Sequence, residues 1–234
     1  MNGREETPLT AIRTGRVEYL IEVIVFLFLI VPSMLLSFFA LKSATLSFLF
    51  VASSAITRDL GLLCLVLFFA WRNGEPLGLF GWTGKNLWRD AAIGLLLFMP
   101  FTAAIGYIEG TLQSAGLSAP SAMPSFLMPA GRAQTFLAFI LVAVAAFAEE
   151  GIFRGYLIRR LSLITGSVPA AIVISSFIFS MGHGYEGSAG LITVGITGAV
   201  LAVIYLWRKS LAAPIVLHFL QDFVSIIVSH YFLK

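Results

Sequence analysis

The chain has 234 residues, of which 59% are hydrophobic and 12% charged; its mean hydropathy is +0.94 and its formal net charge +3. A soluble domain carries about a quarter charged residues, so this chain has too little polar surface to cover a globule in water and belongs in lipid. The small positive charge is spread over loops, which excludes the clustered basic face that nucleic acid needs, and the single Cys64 excludes an intrachain disulfide and a cysteine-rich metal site. Cys64 lies in the apolar run 62–69, which predicts a packed, inert thiol.

Residues 1–17 are polar and carry Arg4, Arg13 and Arg16, the pattern of a short cytoplasmic arm; residues 18–234 read as one integral membrane domain. The run 19–41 is longer than a signal-peptide core and is not closed by a small-x-small cleavage site, so it predicts a retained first span, kinked at Pro32. Glu18 and Glu22, one turn apart at its start, are expected to be interfacial and solvated. A second span covers about 46–71. It contains Arg58-Asp59, which requires either a helix break near Ser53-Ser54 or a partner inside the bundle; the pair is the strongest competing polar site, and its role is left open. Residues 72–87 form a Gly-rich loop. A third span, about 88–107, is interrupted at Pro100. Residues 109–133, with Pro120, Pro124 and Pro129, are too broken to span and predict a surface cap or a re-entrant segment.

The fourth span, about 133–158, is the unusual one. Two adjacent carboxylates, Glu149 and Glu150, and Arg154 interrupt it, and Arg159-Arg160 mark its exit. Each charge near a helix centre costs about 2.5–3.5 kcal/mol, whereas Leu, Ile, Phe and Val contribute only about 0.3–0.6 each. The twelve such residues between Gln134 and Ile158 give about 4–7 kcal/mol against about 8–10 for three central charges. The segment can span only if these groups pair, face other helices or line a wet cavity, which makes them functional candidates. A fifth span starts near Pro169, placed for a first helical turn, and runs to His183. A sixth covers about 188–207, where Gly190, Gly195 and Gly198 permit close helix approach. A seventh covers about 211–232.

The fold class is therefore all-α: a polytopic transmembrane bundle of about seven spans with a polar site in its core. With the N-terminus in the cytoplasm, inside segments hold ten Lys and Arg and outside segments three, and all four tryptophans lie on or beside inside loops.

Three spans carry polar pairs four residues apart. Glu150 and Arg154 share a face and suit an ion pair; Glu149, rotated by about 100°, is left for other work. Phe179 and His183 put an aromatic ring beneath an imidazole. His218 and Asp222 let a carboxylate orient a second ring. A carboxylate and an imidazole can hold a water, with the carboxylate accepting its proton, and the other imidazole can serve an oxyanion.

At these residues the sequence resembles the CPBP intramembrane endopeptidases, the CAAX protease and bacteriocin-processing (Abi) family. Glu149, Glu150 and Arg154 match its Glu-Glu-x-x-x-Arg motif, Phe179 and His183 its Phe-x-x-x-His, and His218 and Asp222 its His-x-x-x-Asn/Asp, in order, over roughly residues 75–230. The resemblance implies peptide-bond hydrolysis in the membrane: Glu149 as general base holding water with His183, Glu150 and Arg154 ordering the site, His218 and Asp222 serving the oxyanion, and Phe179 shaping the substrate pocket. Prenyl-protein members carry asparagine at the last position, and a carboxylate at Asp222 cannot donate as an amide does. The implied partners are lipid and a membrane-associated peptide or protein. No cofactor is expected; zinc held by Glu149, His183 and His218, with Glu150 nearby, is the alternative. Two other functions fit the same residues. One is a proton-coupled transporter whose path Arg58-Asp59 extends, although spans three and six are nearly bare of charge. The other is a non-catalytic, bacteriocin-immunity-like membrane partner.

The predicted depths conflict. At about 1.5 Å per residue, Glu149 lies about 15 Å from the fourth span's inner end and His218 about 13 Å from the seventh's, but His183 lies about 24 Å from Ser167. Either the fifth span starts later or the 160–169 connection dips into the interface.

Overall fold

The computed structural model describes residues 15–40 and 46–232; Arg4, Arg13, Lys42 and Lys234 lie outside them. Among the described residues the protein is all helical. The spans are α1 (Arg16–Ser37), α2 (Phe48–Arg72), α3 (Leu87–Ser114), α4 (Gly131–Thr165), α5 (Val168–Met181), α6 (Gly187–Arg208) and α7 (Ala212–Val228). Five of them are long and apolar enough to cross a membrane; α5 and α7 are shorter. Exposed Phe28, Leu36, Leu96, Met99, Phe136 and Val173 give the outer surface the apolar character that lipid requires.

α1 shows why one side of each span faces inward. Glu22, Val23, Phe26, Ile30 and Met34 recur at three and four residues and are buried, and the opposite face is bare. Pro32 and Pro100 lie inside unbroken helices. α2 is also continuous through Ser53-Ser54, with Ser47 capping its start by accepting from the Phe50 amide. Cys64 is exposed on α2 rather than packed in the core, because it points away from the buried Leu62, Leu63 and Val66. α3 runs past Tyr107 to Ser114. The stretch 115–130 after it is a cap, tied to the start of α6 by Ser118: its amide donates to Ser188 Oγ and its carbonyl accepts from Ala189.

The basic end of the bundle holds a dense charge cluster. Glu22 is buried, not solvated: it accepts from Arg72 (3.0 Å), Asn73 (2.7 Å), Tyr156 (2.9 Å) and Arg160 (2.8 Å). Arg160 also pairs with Glu75, as does Arg159. Arg159-Arg160 therefore do not end α4, which continues to Thr165 and turns at Gly166 (φ +72). A charge pair is an exit signal only if it meets water, and Arg160 meets Glu22 and Glu75 instead. Burial pushes the Glu75 carboxyl up, but the hydrogen bonds and charges of Arg160 and Arg159 outweigh it and hold the group below its usual range.

This extension removes the conflict of depth between Glu149 and His183. Glu149 precedes Thr165 by sixteen residues and His183 follows Ser167 by sixteen, so both lie about 24 Å from the α4–α5 turn.

Candidate active site

α4 changes its winding at the site. Residues 150–157 form π-helix, and the amide of Ile158 reaches the carbonyl of Phe153. The wider turn is a local adjustment common at functional positions. Ser175 of α5 donates to the same carbonyl at 2.9 Å, which fixes α5 against the π segment. Gly151 and Gly155 admit the 77–83 loop on the other side: a Cβ would lie 2.7 Å from Trp82 at the first and 2.7 Å from the Phe80 carbonyl at the second. The Leu211 amide donates to the Gly81 carbonyl, seating the start of α7 beside this loop.

That arrangement brings α4 and α7 together. His218 Nδ1 is 2.8 Å from Glu150 Oε1; its Nε2 is 3.4 Å from Asp222 Oδ2 and 3.8 Å from Glu149 Oε2. Arg154 Nη1 is 2.9 Å from Glu150 Oε1, an ion pair whose alignment leaves Nη1 and Nη2 without a hydrogen bond among the described residues. The Phe179 ring lies under the Arg154 guanidinium at 4.3 Å and contacts the rings of His183 (5.1 Å) and His218 (6.0 Å). It is buried at the centre of the group rather than at a rim.

His183 lies two residues beyond α5, before the short turn Gly184–Glu186. Its Nδ1 is 3.2 Å from the Phe179 carbonyl. A carbonyl only accepts, so Nδ1 carries a proton, and the neutral ring then has its lone pair on Nε2. His183 lines two cavities. One, about 150 Å³, is shared with Glu149, Asp222, Arg58, Asp59 and Tyr185. The other, about 430 Å³, is shared with His218, Asp222, Phe179, Gln221 and Glu186, under the cap residues Met123, Pro124 and Leu127. All seven sequence-predicted residues thus meet in one neighbourhood.

Arg58 and Asp59 join it. Arg58 holds Asp59 at 2.8 Å and reaches Glu149 Oε1 at 3.6 Å. Their sequence signal was two adjacent charges in mid-span. Tyr185 and Glu186, beside His183, were not singled out; they follow a glycine in a polar connection and carry no spacing signal.

Both nitrogens of His218 face carboxylates at 2.8–3.8 Å, and among the described residues no three His, Cys, Asp or Glu side chains are gathered to hold a metal ion.

The family model "Type II CAAX prenyl endopeptidase Rce1-like" matches residues 131–224. That stretch is similar to the CPBP family. It contains all three motifs and begins and ends inside the 75–230 range that the motifs suggested; α1, α2 and α3, and with them Arg58 and Asp59, lie outside it. No curated protein and no solved structure matches the chain.

Proposed function

We propose that this integral membrane protein, CAAX-protease-like by family, is an endopeptidase that cleaves a membrane-associated peptide or protein by a glutamate-activated water. The supporting observation is the meeting of Glu149, His183 and His218, from three separate spans, beside two adjoining cavities. A water between Glu149 and the His183 Nε2 lone pair is oriented by the imidazole and loses its proton to the carboxylate as its oxygen attacks the scissile carbonyl. The carbonyl oxygen gains the negative charge. His218 donates to it through Nε2–H, which rests on Asp222 beforehand, while Nδ1–H stays on Glu150. Glu149 then returns its proton to the departing amine. Asp222 orients rather than donates, and Glu150 and Arg154 fix the ring of His218. Phe179, with Arg154 and both imidazoles around its ring, shapes the wall where the peptide lies.

No step is routed through a metal. In this reading the N-terminus is cytoplasmic, which puts the basic cluster on that side. The partners are lipid and the peptide, with no nucleic acid.

The test is cleavage of membrane peptides by the full chain in detergent, followed by mass spectrometry of the products. Glu149→Ala, His183→Ala and His218→Ala should each abolish cleavage while the elution volume of the folded protein stays as in the wild type. A chelator should leave the rate unchanged; inhibition reversed by zinc would revive the metallo-type reading. If Glu149→Ala and His183→Ala both keep full biological activity, the non-catalytic role replaces this one.

A further inference from the structure

Arg58 and Asp59 occupy the middle of α2, ten and eleven residues from Phe48, where α2 packs against α4. Charges at that depth persist only with partners or beside a wet cavity. A merely structural pair would complete itself. This one does not: Arg58 Nε and Nη2 both hold Asp59 Oδ1 at 2.8 Å, while Asp59 Oδ2, on a residue only 3% exposed, has no hydrogen-bond partner among the described residues. Both residues line the 150 Å³ cavity that Glu149 and His183 also line.

The two oxygens of Glu149 are divided between helices. Oε1 faces Arg58 Nη2 at 3.6 Å and Oε2 faces His218 Nε2 at 3.8 Å. Nη2 thus lies between two acids, paired with Asp59 at 2.8 Å and within ion-pair reach of Glu149 at 3.6 Å. Asp59 holds the fork at 2.8 Å and thereby keeps its positive charge beside Glu149. A lysine ammonium, as a point charge without a rigid fork, would hold the two acids less strictly.

We propose that Arg58 is a positioning residue for Glu149: braced by Asp59, its guanidinium fixes the carboxylate plane between α2 and α7, and the unshared oxygen of Asp59 accepts from water in the adjoining cavity. This rests on the hydrolytic reading above, and it extends the working site to a helix that the family match does not include.

The experiment measures kcat and KM on a membrane peptide with the full-length protein in detergent, for Arg58→Met, Arg58→Lys, Arg58→Ala and Glu149→Gln. Arg58→Met should lower kcat about 100-fold, as a misplaced catalytic group does, with KM unchanged. Arg58→Lys should recover part of the loss, and added guanidinium should raise the rate of Arg58→Ala but not of the wild type. Melting of Arg58→Met, Glu149→Gln and the double variant should be non-additive, since the two side chains touch; this readout does not depend on any substrate. Wild-type kcat in Arg58→Met, a loss confined to KM, or additive melting shifts would each overturn the proposal. If Glu149→Gln is inactive while Arg58→Met is fully active, only the positioning role falls. If Glu149→Gln cleaves like the wild type, the hydrolytic reading falls, and the melting cycle still decides whether Arg58 holds Glu149.

Discussion

The protein buries charge in two places and treats it differently. At the basic end, Glu22 receives four donors, and Glu75 shares Arg159 and Arg160, whose guanidinium groups lie over the Phe80 ring. In mid-membrane, four carboxylates (Asp59, Glu149, Glu150 and Asp222) face two guanidiniums and the imidazole of His218. There Asp59 Oδ2, Glu150 Oε2 and both terminal nitrogens of Arg154 lack a hydrogen bond among the described residues. The first cluster is complete and holds helices together. The second is incomplete and borders cavities, as expected of groups that must also meet water and a peptide. Partner satisfaction, more than burial, separates structural from working charge.

Substitutions should divide along the same line. The largest expected effect is on activity: Glu149→Gln keeps the shape of the side chain but removes the base, so cleavage should drop by about 10²–10⁴-fold while melting in detergent barely moves. Comparable loss of melting temperature and activity would place Glu149 with the structural charges. Next, Glu22→Ala leaves Arg160 buried beside a missing partner. Such breakage costs about 3–5 kcal/mol, seen as a large fall in melting temperature with unchanged kcat in the folded fraction. A smaller effect is expected at Gly155→Ala, where the new methyl group meets the Phe80 carbonyl at 2.7 Å. Overpacking of that kind costs about 1–3 kcal/mol, and melting should fall accordingly; full wild-type melting would mean that the 77–83 loop gives way freely.

The division also explains what could be read without coordinates. Glu149, Glu150, Arg154, Phe179, His183, His218 and Asp222 were legible because helical spacing places each pair on a face and because their cost in an apolar span demands a reason. Glu22 was misjudged because its partner Arg160 is 138 residues away; near a helix start, a glutamate with a distant arginine looks the same as a solvated one. The end of α4 was misplaced for the reciprocal reason, since Arg159-Arg160 resemble an exit until Glu22 and Glu75 are seen to neutralise them. Cys64 was misplaced because an apolar run in lipid has no polar face to tell outside from inside. Arg58-Asp59 was visible as an anomaly, but only the packing of α2 on α4 shows that it reaches Glu149.

The mildest test of the structural cluster uses pH. Glu75 titrates below the ordinary carboxylate range in the folded protein because Arg160 and Arg159 favour its charged form over the opposing effect of burial. A carboxyl depressed in the folded state contributes stability that is fully present above its unfolded value, about 4.3, and is lost as pH falls through the folded value. Wild-type melting should therefore hold near neutrality and decline as pH drops below about 4.3. Glu75→Gln should melt lower at neutral pH by the equivalent of about 1.5–2 kcal/mol, the lower end of the range for hydrogen bonds to charged groups, and should show a shallower acid decline. Its curve should approach the wild type's at the acid end, where Glu75 is protonated in both states and the two side chains carry the same charge. A constant offset at every pH would instead assign the difference to packing and remove Glu75 from the electrostatic cluster, leaving Glu22 as the acid that holds Arg160.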